Sequence, residues 1–338
     1  MISKLKYFIF FVTLFLITGF FQVIAEAADH KVCVFDPIGV NGPLFEQMKD
    51  YQLAALEWGV NLTLVPYTDE RVAAEDFKAG KCDAVSLSGM RARPFNDFTG
   101  TLDSIGSIPT YDHMKLVLET LSGPQAAKYM VNGYYEIAGI YPKGAAYLFV
   151  NDRNIDTVPE LSGKKIAILE YDQAEEVLAG NVGLTPVLSS IANMYSKFNN
   201  GSVDVCGAPA GLYEPMELSK GLGDKGGIIR FGLTQVTIQI IIHPEKFPEG
   251  FGQKSREYVF SNFTKDFQQI TEMENRIPKK YWVEIVYEDK QNYMAIFRQS
   301  RIALHKKGIY NEKMLKILRQ IRCNVEPQNS ECTADDKE

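Results

Sequence analysis

Four histidines in 338 residues, at positions 30, 113, 243 and 305, are too few and too scattered to hold a metal. No two of them stand at i, i+4, and none falls in an H-E-x-x-H phrase. A G-x-S-x-G elbow is missing as well, because Ser88 in "LSGM" lacks the first glycine. The Gly163-Lys164 pair has no upstream glycine at P-loop spacing, and Lys165 stands where Ser or Thr would be needed. No C-x-x-C occurs, which removes the usual zinc and thioredoxin-type sites. Positive charge is scarce too: 36 Lys and Arg against 42 Asp and Glu give a net charge of −6. Without a dense basic cluster, nucleic acid is not an expected partner. These absences leave no catalytic constellation to name, so the expectation is a binding protein rather than an enzyme, with no cofactor and no metal.

Long apolar runs are confined to one place. Lys4 and Lys6 precede the run Tyr7 to Ile24, and Ala25-Glu26-Ala27 offers small residues at the positions a signal peptidase reads. That pattern predicts a secretory leader, residues 1–27, cleaved after Ala27 and delivering the rest to the periplasm. The alternative is a retained anchor, since the run approaches spanning length. In an exported chain five cysteines invite pairing. Cys323 and Cys332 flank a short loop and are the first candidates for a disulfide. Cys33 and Cys82 lie on or beside strands that would be neighbours and form a second, weaker pairing. Cys206 is left over among small apolar residues as a buried thiol.

What is present is an alternation of short apolar strands and amphipathic helices. "HKVCVFDPIG" is a strand running into a Pro-Gly loop, and Leu44, Met48, Tyr51, Ala55 and Trp58 carry a helical stripe. "NLTLVPY", a helix over Asp69 to Phe77, and "CDAVSLSG" follow. Strand, helix, strand, helix, strand at this spacing predicts right-handed crossovers and a parallel sheet. The grammar then restarts: "AAYLFVN", a helical turn and strand in "DTVPELSGKKIAILEY", helices over Asp172 to Gly180 and Ser189 to Phe198, and "SVDVCGAP". "TQVTIQIIIHP" reads as a long β-branched strand able to cross between two units. The C-terminal third reads as helical, with stripes at Phe260, Phe263, Phe267 and Ile270, at Tyr293, Phe297 and Leu304, and at Met314, Ile317, Leu318 and Ile321. The tail beyond Cys332 is polar and expected to be loose.

One phrase occurs twice. "FKAGKCDAVSLSGMRARPF" begins Phe77, two residues, Gly80, then Asp83; "FNNGSVDVCGAP" begins Phe198, two residues, Gly201, then Asp204. Both then pass through small residues to a proline. The reading is a helix end, a glycine stop and a strand whose carboxyl end opens into a small-residue loop. Ligands sit outside the carboxyl ends of strands in open α/β sheets. Two such units facing each other make a cleft with one loop on each wall.

The stretch from about Gly144 to Pro209 resembles a known family. "NDRNIDTVPELSGKKIAI" is similar to the N-x-x-x-I … D-L-x-G-L-K-I-R segment of the DctP-like periplasmic substrate-binding proteins of TRAP transporters. "MYSKFNNGSVDVCGAP" and the earlier "FKAGKCDAVSLSGMRARPF…GSIPTYDH" look like that family's two strand-end segments, and "VTIQIIIHPEKFPEG" like its long strand. The resemblance is to a divergent branch, one also labelled a component of RND efflux pumps. It implies an α/β, two-domain periplasmic binding protein of type II-like architecture, with hinge strands and a long C-terminal helix spanning both domains. Domain I would comprise residues 28–143 with 241–322, domain II residues 144–240, and the polar tail residues 323–338. It further implies closure on a small molecule delivered to a membrane permease of the TRAP type. The family's ligand carboxylate is gripped by an arginine that here falls on Ala167. A second family arginine falls on or near Tyr147, and a polar residue before the closing proline falls on Ala208.

A bidentate arginine–carboxylate pair is the strong directional contact in such a cleft, and its loss removes the reason to expect a carboxylate ligand. "LEYDQAEE" instead brings Glu170, Tyr171 and Asp172 to the strand end the resemblance marks for binding. Together with Tyr147 and Tyr213 these make an aromatic and acidic wall suited to a cationic or amine-containing ligand; helix capping by the acids is the competing explanation. Arg91 and Arg93 keep an anion open. The residues expected to line the cleft are Asp36, Pro37, Ser86, Ser88, Arg91, Tyr147, Glu170, Tyr171, Asp172, Ala208, Tyr213 and Gln235. The alternative from another class is an envelope accessory or sensor protein, an efflux-associated component included, that docks a protein partner. The heptad hairpins and lipoyl-like β domain of an RND adaptor are not written in this sequence.

Overall fold

The computed structural model describes residues 28–334 and 338. The expected leader, residues 1–27, lies outside them. No helix among the described residues is long and apolar enough to cross a membrane.

The strands are β1 (Ala28–Phe35), β2 (Val60–Tyr67), β3 (Ala84–Ser88), β4 (Val131–Asn132), β5 (Tyr135–Val150), β6 (Lys165–Leu169), β7 (Thr185–Ser189), β8 (Val205–Pro209), β9 (Gly227–Ile229), β10 (Thr234–Ile242) and β11 (Trp282–Val283). They form one sheet with the main order β2-β1-β3-β10-β5-β8-β6-β7. β1 lies parallel between β2 and β3, and β6 parallel between β7 and β8. Each parallel triplet carries its crossover helices, Pro43–Glu57 and Glu70–Lys78 in the first lobe, Gln173–Asn181 and Ile191–Asn199 in the second. This is the α/β, two-domain architecture expected from the sequence.

The repeated phrase performs one mechanical task twice. Phe77 and Phe198 are fully buried at the ends of their helices. Gly80 (φ +72°) and Gly201 (φ +74°) then stop those helices in the left-handed region that a side chain would resist. Three residues on, the Asp83 carboxylate accepts the Lys31 N–H at 2.9 Å while the Asp83 N–H donates to the Lys31 carbonyl at 2.8 Å. Asp204 repeats the pair with Lys165, at 2.8 and 2.9 Å. Each aspartate therefore pins the first residue of its strand to the neighbouring parallel strand. It sits at the amino end of the strand, one strand length from the carboxyl end where ligands bind.

Two strands join the lobes. β5 pairs through Glu136–Pro142 with β10 and through Ala146–Val150 with β8, so it spans both lobes. The sequence reading began this strand only at Ala145. In the sheet, Pro142 stands at the irregularity opposite Gln235–Thr237, where a missing N–H does no harm. Gly144 (φ +90°) makes the bend between the two halves, with Ile270 Cγ2 2.8 Å from where a Cβ would stand.

The expected long C-terminal helix is two consecutive helices, Phe251–Ser261 and Phe263–Arg276, broken at Asn262. Arg256 anchors the first to the first lobe, at 2.7 Å from Glu136 and 2.8 Å from the Ile137 carbonyl. At the far end of the second, Met273 Sδ would stand 3.0 Å from a Cβ on Gly211 in the second lobe. The pair thus crosses both lobes. The helix Tyr287–Lys306 packs Tyr293 and Phe297 against Leu148, Leu161 and Val205 of the second lobe. The sequence reading grouped this segment with the first. Helix Glu312–Val325 returns to the first lobe through Met314 and Leu318.

Both expected disulfides are present, Cys33–Cys82 and Cys323–Cys332, with Cys206 a buried free thiol. The tail beyond Cys332 was expected to be loose; its described end, Glu338, is buried. Arg301 and Arg322, both buried, are ion-paired with the buried carboxylates of Glu331 and Glu338. The same two guanidiniums donate to the carbonyls of Ile105 and Ser107 at 2.9 and 2.8 Å. A buried arginine needs its acceptors, and the tail supplies them.

If the two aspartates are pins rather than ligand groups, Asp83→Ala and Asp204→Ala should each lose about 1–2 kcal/mol in equilibrium denaturation. Any ligand should bind both variants with unchanged affinity.

Candidate functional site

The carboxyl ends of β1, β3, β6 and β8 converge on a cavity of about 260 Å³ between the lobes. Phe35, Asp36 and Pro37 line it from β1 and Ser88 from β3. Leu169 approaches from β6, and Pro209 with Gly211 from the end of β8. The joining strands contribute Ala146, Leu148, Thr234 and Val236. Most of the remaining wall is aliphatic or aromatic, as in Leu161, Leu184, Leu233 and Phe297. Such a cavity suits a solute with an apolar body and few polar groups.

The charged groups on this wall are unequal in what they leave free. Asp36 accepts the N–H groups of Ile38, Leu44 and Phe45 at 2.8, 2.8 and 3.0 Å, so its carboxylate closes the start of helix Pro43–Glu57. Asp172 accepts Arg93 Nη1 at 3.1 Å and the Ala174 N–H at 2.8 Å. Arg93 also donates through Nε to the Gly100 carbonyl at 3.0 Å. Asp103 takes the Thr237 hydroxyl at 2.6 Å and its N–H at 3.2 Å; burial outweighs these bonds and pushes its carboxyl up to about 7. Glu175 accepts the Leu169 N–H at 2.6 Å; burial and then the charge of Asp172 push it up to about 8. Lys143, hydrogen-bonded to Gln47, is driven down to about 8 by burial, against the pull of Asp266 and Asp36. The lining contains no arginine among the described residues, and Lys143 is its one lysine.

Of the residues singled out from sequence, Asp36, Pro37, Ser88 and Asp172 line the cavity. Tyr147, Ala208 and Gln235 do not. Each alternates with lining neighbours: Ala146 and Leu148, Gly207 and Pro209, Thr234 and Val236. Successive side chains on a strand face opposite sides, so a one-residue offset sends all three away. The Tyr147 hydroxyl instead donates to Glu274 at 2.8 Å, and its ring meets Trp282 edge-on. Ser86 is buried in β3 with no partner for its hydroxyl, and Tyr213 packs on Tyr281.

Arg91, Glu170 and Tyr171 meet at a separate, smaller dent beside the cavity. Here Arg91 lies 3.3 Å over the Tyr171 ring, and the Tyr171 hydroxyl donates to buried Glu70 at 3.0 Å. Glu70 also accepts the Ser88 N–H at 2.6 Å. The aromatic face that suggested an ammonium site is thus covered by the protein's own guanidinium. With Arg93–Asp172, these contacts tie the first lobe to the second. Sequence reasoning missed Asp103, Lys143, Glu175 and Tyr195 as lining residues. Glu175 lay inside the quoted "LEYDQAEE", one helical turn beyond Asp172; Asp103 sits in a buried loop with no local signal.

One sheet made of two parallel lobes, two joining strands, a helix pair across both and a cavity at the converging strand ends defines a periplasmic solute-binding fold. The TRAP periplasmic solute-binding protein of Desulfovibrio salexigens solved with orotic acid superposes with a TM-score of 0.72 at 12% identity, over 88% of this chain and 99% of that one. DctP7 of Bordetella pertussis, an extracytoplasmic solute receptor binding pyroglutamic acid, gives 0.70 at 9% identity over 88% and 100%. The profile of the family "Solute-binding protein AdeT 1/2" matches residues 53–337, and the chain belongs to that family. "Probable solute-binding protein AdeT1" of Acinetobacter baumannii is 47% identical over 304 residues, 90% of this chain and all of its relative. The resemblance to TRAP binding proteins read from the sequence is therefore correct.

The Arg93–Asp172 contact makes a stability prediction. Arg93→Met leaves a buried carboxylate without its counter-ion and should cost about 3 kcal/mol in denaturant unfolding. Adding Asp172→Asn should return more than half of that loss.

Proposed function

We propose that the protein is a periplasmic solute-binding protein that encloses a small, largely apolar, amine-bearing solute between its lobes and delivers it to a membrane transporter. The observation that carries the ligand class is the composition of the cavity wall. It is apolar, lacks arginine among the described residues, and presents Asp36, Asp103, Asp172 and Glu175, with Lys143 the one lysine among them and Arg93 paired to Asp172 from behind the wall. The position where the TRAP resemblance expects the carboxylate-gripping arginine is Ala167, which itself lines the cavity. The two solved relatives described above carry orotic acid and pyroglutamic acid; the wall found here suits the opposite charge. Family membership and fold support delivery to a transporter, and the leader pattern of residues 1–27 supports the periplasm.

Capture follows from differential affinity. The ligand touches both lobes, so it binds the closed form better than the open one and shifts the balance toward closure. The contacts among Arg91, Tyr171 and Glu70, and between Arg93 and Asp172, already favour closure, which lowers the share the ligand must supply.

A second reading rests on Lys143, the one cation on the wall without an arginine's competition, which suits a carboxylate. Thermal unfolding of the purified protein with phenethylamine, tryptamine, hydrocinnamate and phenethyl alcohol separates the two, because these probes share an apolar body and differ in charge. A probe at about 100 times its dissociation constant adds about 2.7 kcal/mol, a rise of several degrees for a chain of this size. The expected outcome is a rise with the amines and none with hydrocinnamate. A rise with hydrocinnamate alone, abolished by Lys143→Met, replaces the amine reading with the carboxylate one. Silence from all four favours the protein-docking alternative.

A further inference from the structure

We propose that Glu175 and the Tyr195 hydroxyl form the ammonium-binding subsite of this cavity, and that an amine enters it in exchange for a proton. The inference rests on the amine reading above and locates it on named atoms.

Two observations meet here. Glu175 commits one oxygen, Oε2, to the Leu169 N–H and leaves the other without a partner on the cavity wall. Tyr195 is only 7% exposed and lines the same cavity, and no hydrogen bond engages its hydroxyl among the described residues. Tyr195 is buried and Glu175 half-buried, and the hydroxyl of the one and Oε1 of the other have no hydrogen-bond partner among the described residues, so both are free to meet a donor that enters the cavity. Glu175 lies within electrostatic reach of Tyr195 and of the Arg93–Asp172 pair, and Asp103 within reach of that same pair. The charged and titratable groups around the subsite are Arg93 and Asp172 from the two lobes, Tyr171 beside Glu175, Cys206 and Glu70 facing Tyr195, Asp103 facing the Arg93–Asp172 pair, and Tyr310 under Arg93.

The charge balance follows. In the empty cavity Arg93 and Asp172 cancel, and Glu175 near neutral pH holds its proton because an isolated charge in that wall is unfavourable. When an alkylammonium enters, its N–H groups donate to the open Glu175 oxygen and to Tyr195. Glu175 then ionises and its proton leaves to solvent. The ammonium keeps all its hydrogens, no covalent bond of the ligand changes, and the cavity stays neutral overall. Binding must therefore weaken as pH falls, by about tenfold per pH unit below the Glu175 titration.

The test is calorimetry of phenethylamine and tryptamine with the purified full chain, in buffers of different ionisation enthalpy. Isotope-labelled carboxyl NMR of the empty protein runs beside it. The expected result is release of about one proton near neutrality, and affinity falling about tenfold per pH unit toward acid. Glu175→Gln, which imitates the protonated carboxyl and so keeps the fold, should end proton release and cut amine affinity at least about tenfold. It should spare the binding of phenethyl alcohol. Tyr195→Phe should cost several-fold. Amines that bind without proton release, and equally well to Glu175→Gln, overturn the subsite while leaving the amine reading intact. A Glu175 carboxyl that titrates in the ordinary glutamate range overturns the subsite without any ligand. Binding of hydrocinnamate in place of the amines, or of no probe at all, overturns the subsite and the amine reading together.

Discussion

Antiparallel pairing of β5 with β10 is the constraint on which the rest of the molecule depends. Each lobe alone is a parallel triplet whose strands need helical crossovers on both faces. The two joining strands let one sheet reverse, so that the carboxyl ends of β1 and β3 meet those of β6 and β8. The irregularity at Gln235–Thr237 and the left-handed Gly144 both lie at this junction. A helix pair then crosses the same junction from the outside, with its break at Asn262 on the way. Hinge, cavity and bridging helix are consequences of one topological choice.

Charge inside the cavity is managed by pairing and by protonation. Arg93 and Asp172 face each other from opposite lobes and neutralise each other. Asp103 and Glu175 have no such partner, and burial raises both toward or above neutrality. Because a carboxyl with a raised value binds its proton more tightly folded than unfolded, each favours the fold less as pH climbs through 7 to 8. Lys143 has the opposite sign: its contribution is present above the ordinary lysine range and is lost as pH falls from there to about 8.

Away from the cavity, the C-terminal segment closes the molecule with ions instead of apolar surface. Arg301 and Arg322 reach from two different helices to the 105–107 loop and are capped by Glu331 and Glu338. The loop they hold carries Ile105, which lines the cavity, and follows directly on Asp103. Gly106 in that loop leaves no room for a side chain, because Phe297 stands 2.6 Å from where its Cβ would be. Support for the site thus comes from a tail that its own composition marks as polar surface.

Local features were legible from the chain alone: alternating strand and helix periodicity, the doubled Phe-x-x-Gly-x-x-Asp phrase, both disulfides, and the likeness to TRAP binding proteins. Most depend on spacing within a few residues, where backbone sterics and side-chain periodicity act directly; the Cys33–Cys82 pairing, 49 residues apart, followed from the two strands being neighbours. The phrase itself was read for its strand ends, while its aspartates proved to be pins between parallel strands. What lines the cavity was decided by the tertiary structure. Side-chain parity along β5, β8 and β10 turned Tyr147, Ala208 and Gln235 away from it, and Arg91 covered the Tyr171 ring. Asp103, Lys143 and Tyr195 reached it from a buried loop, the hinge and a helix of the second lobe. Sequence determined which elements form, because that needs only neighbours; the sheet's register and reversal decided which side chains meet, because those neighbours are a hundred residues apart.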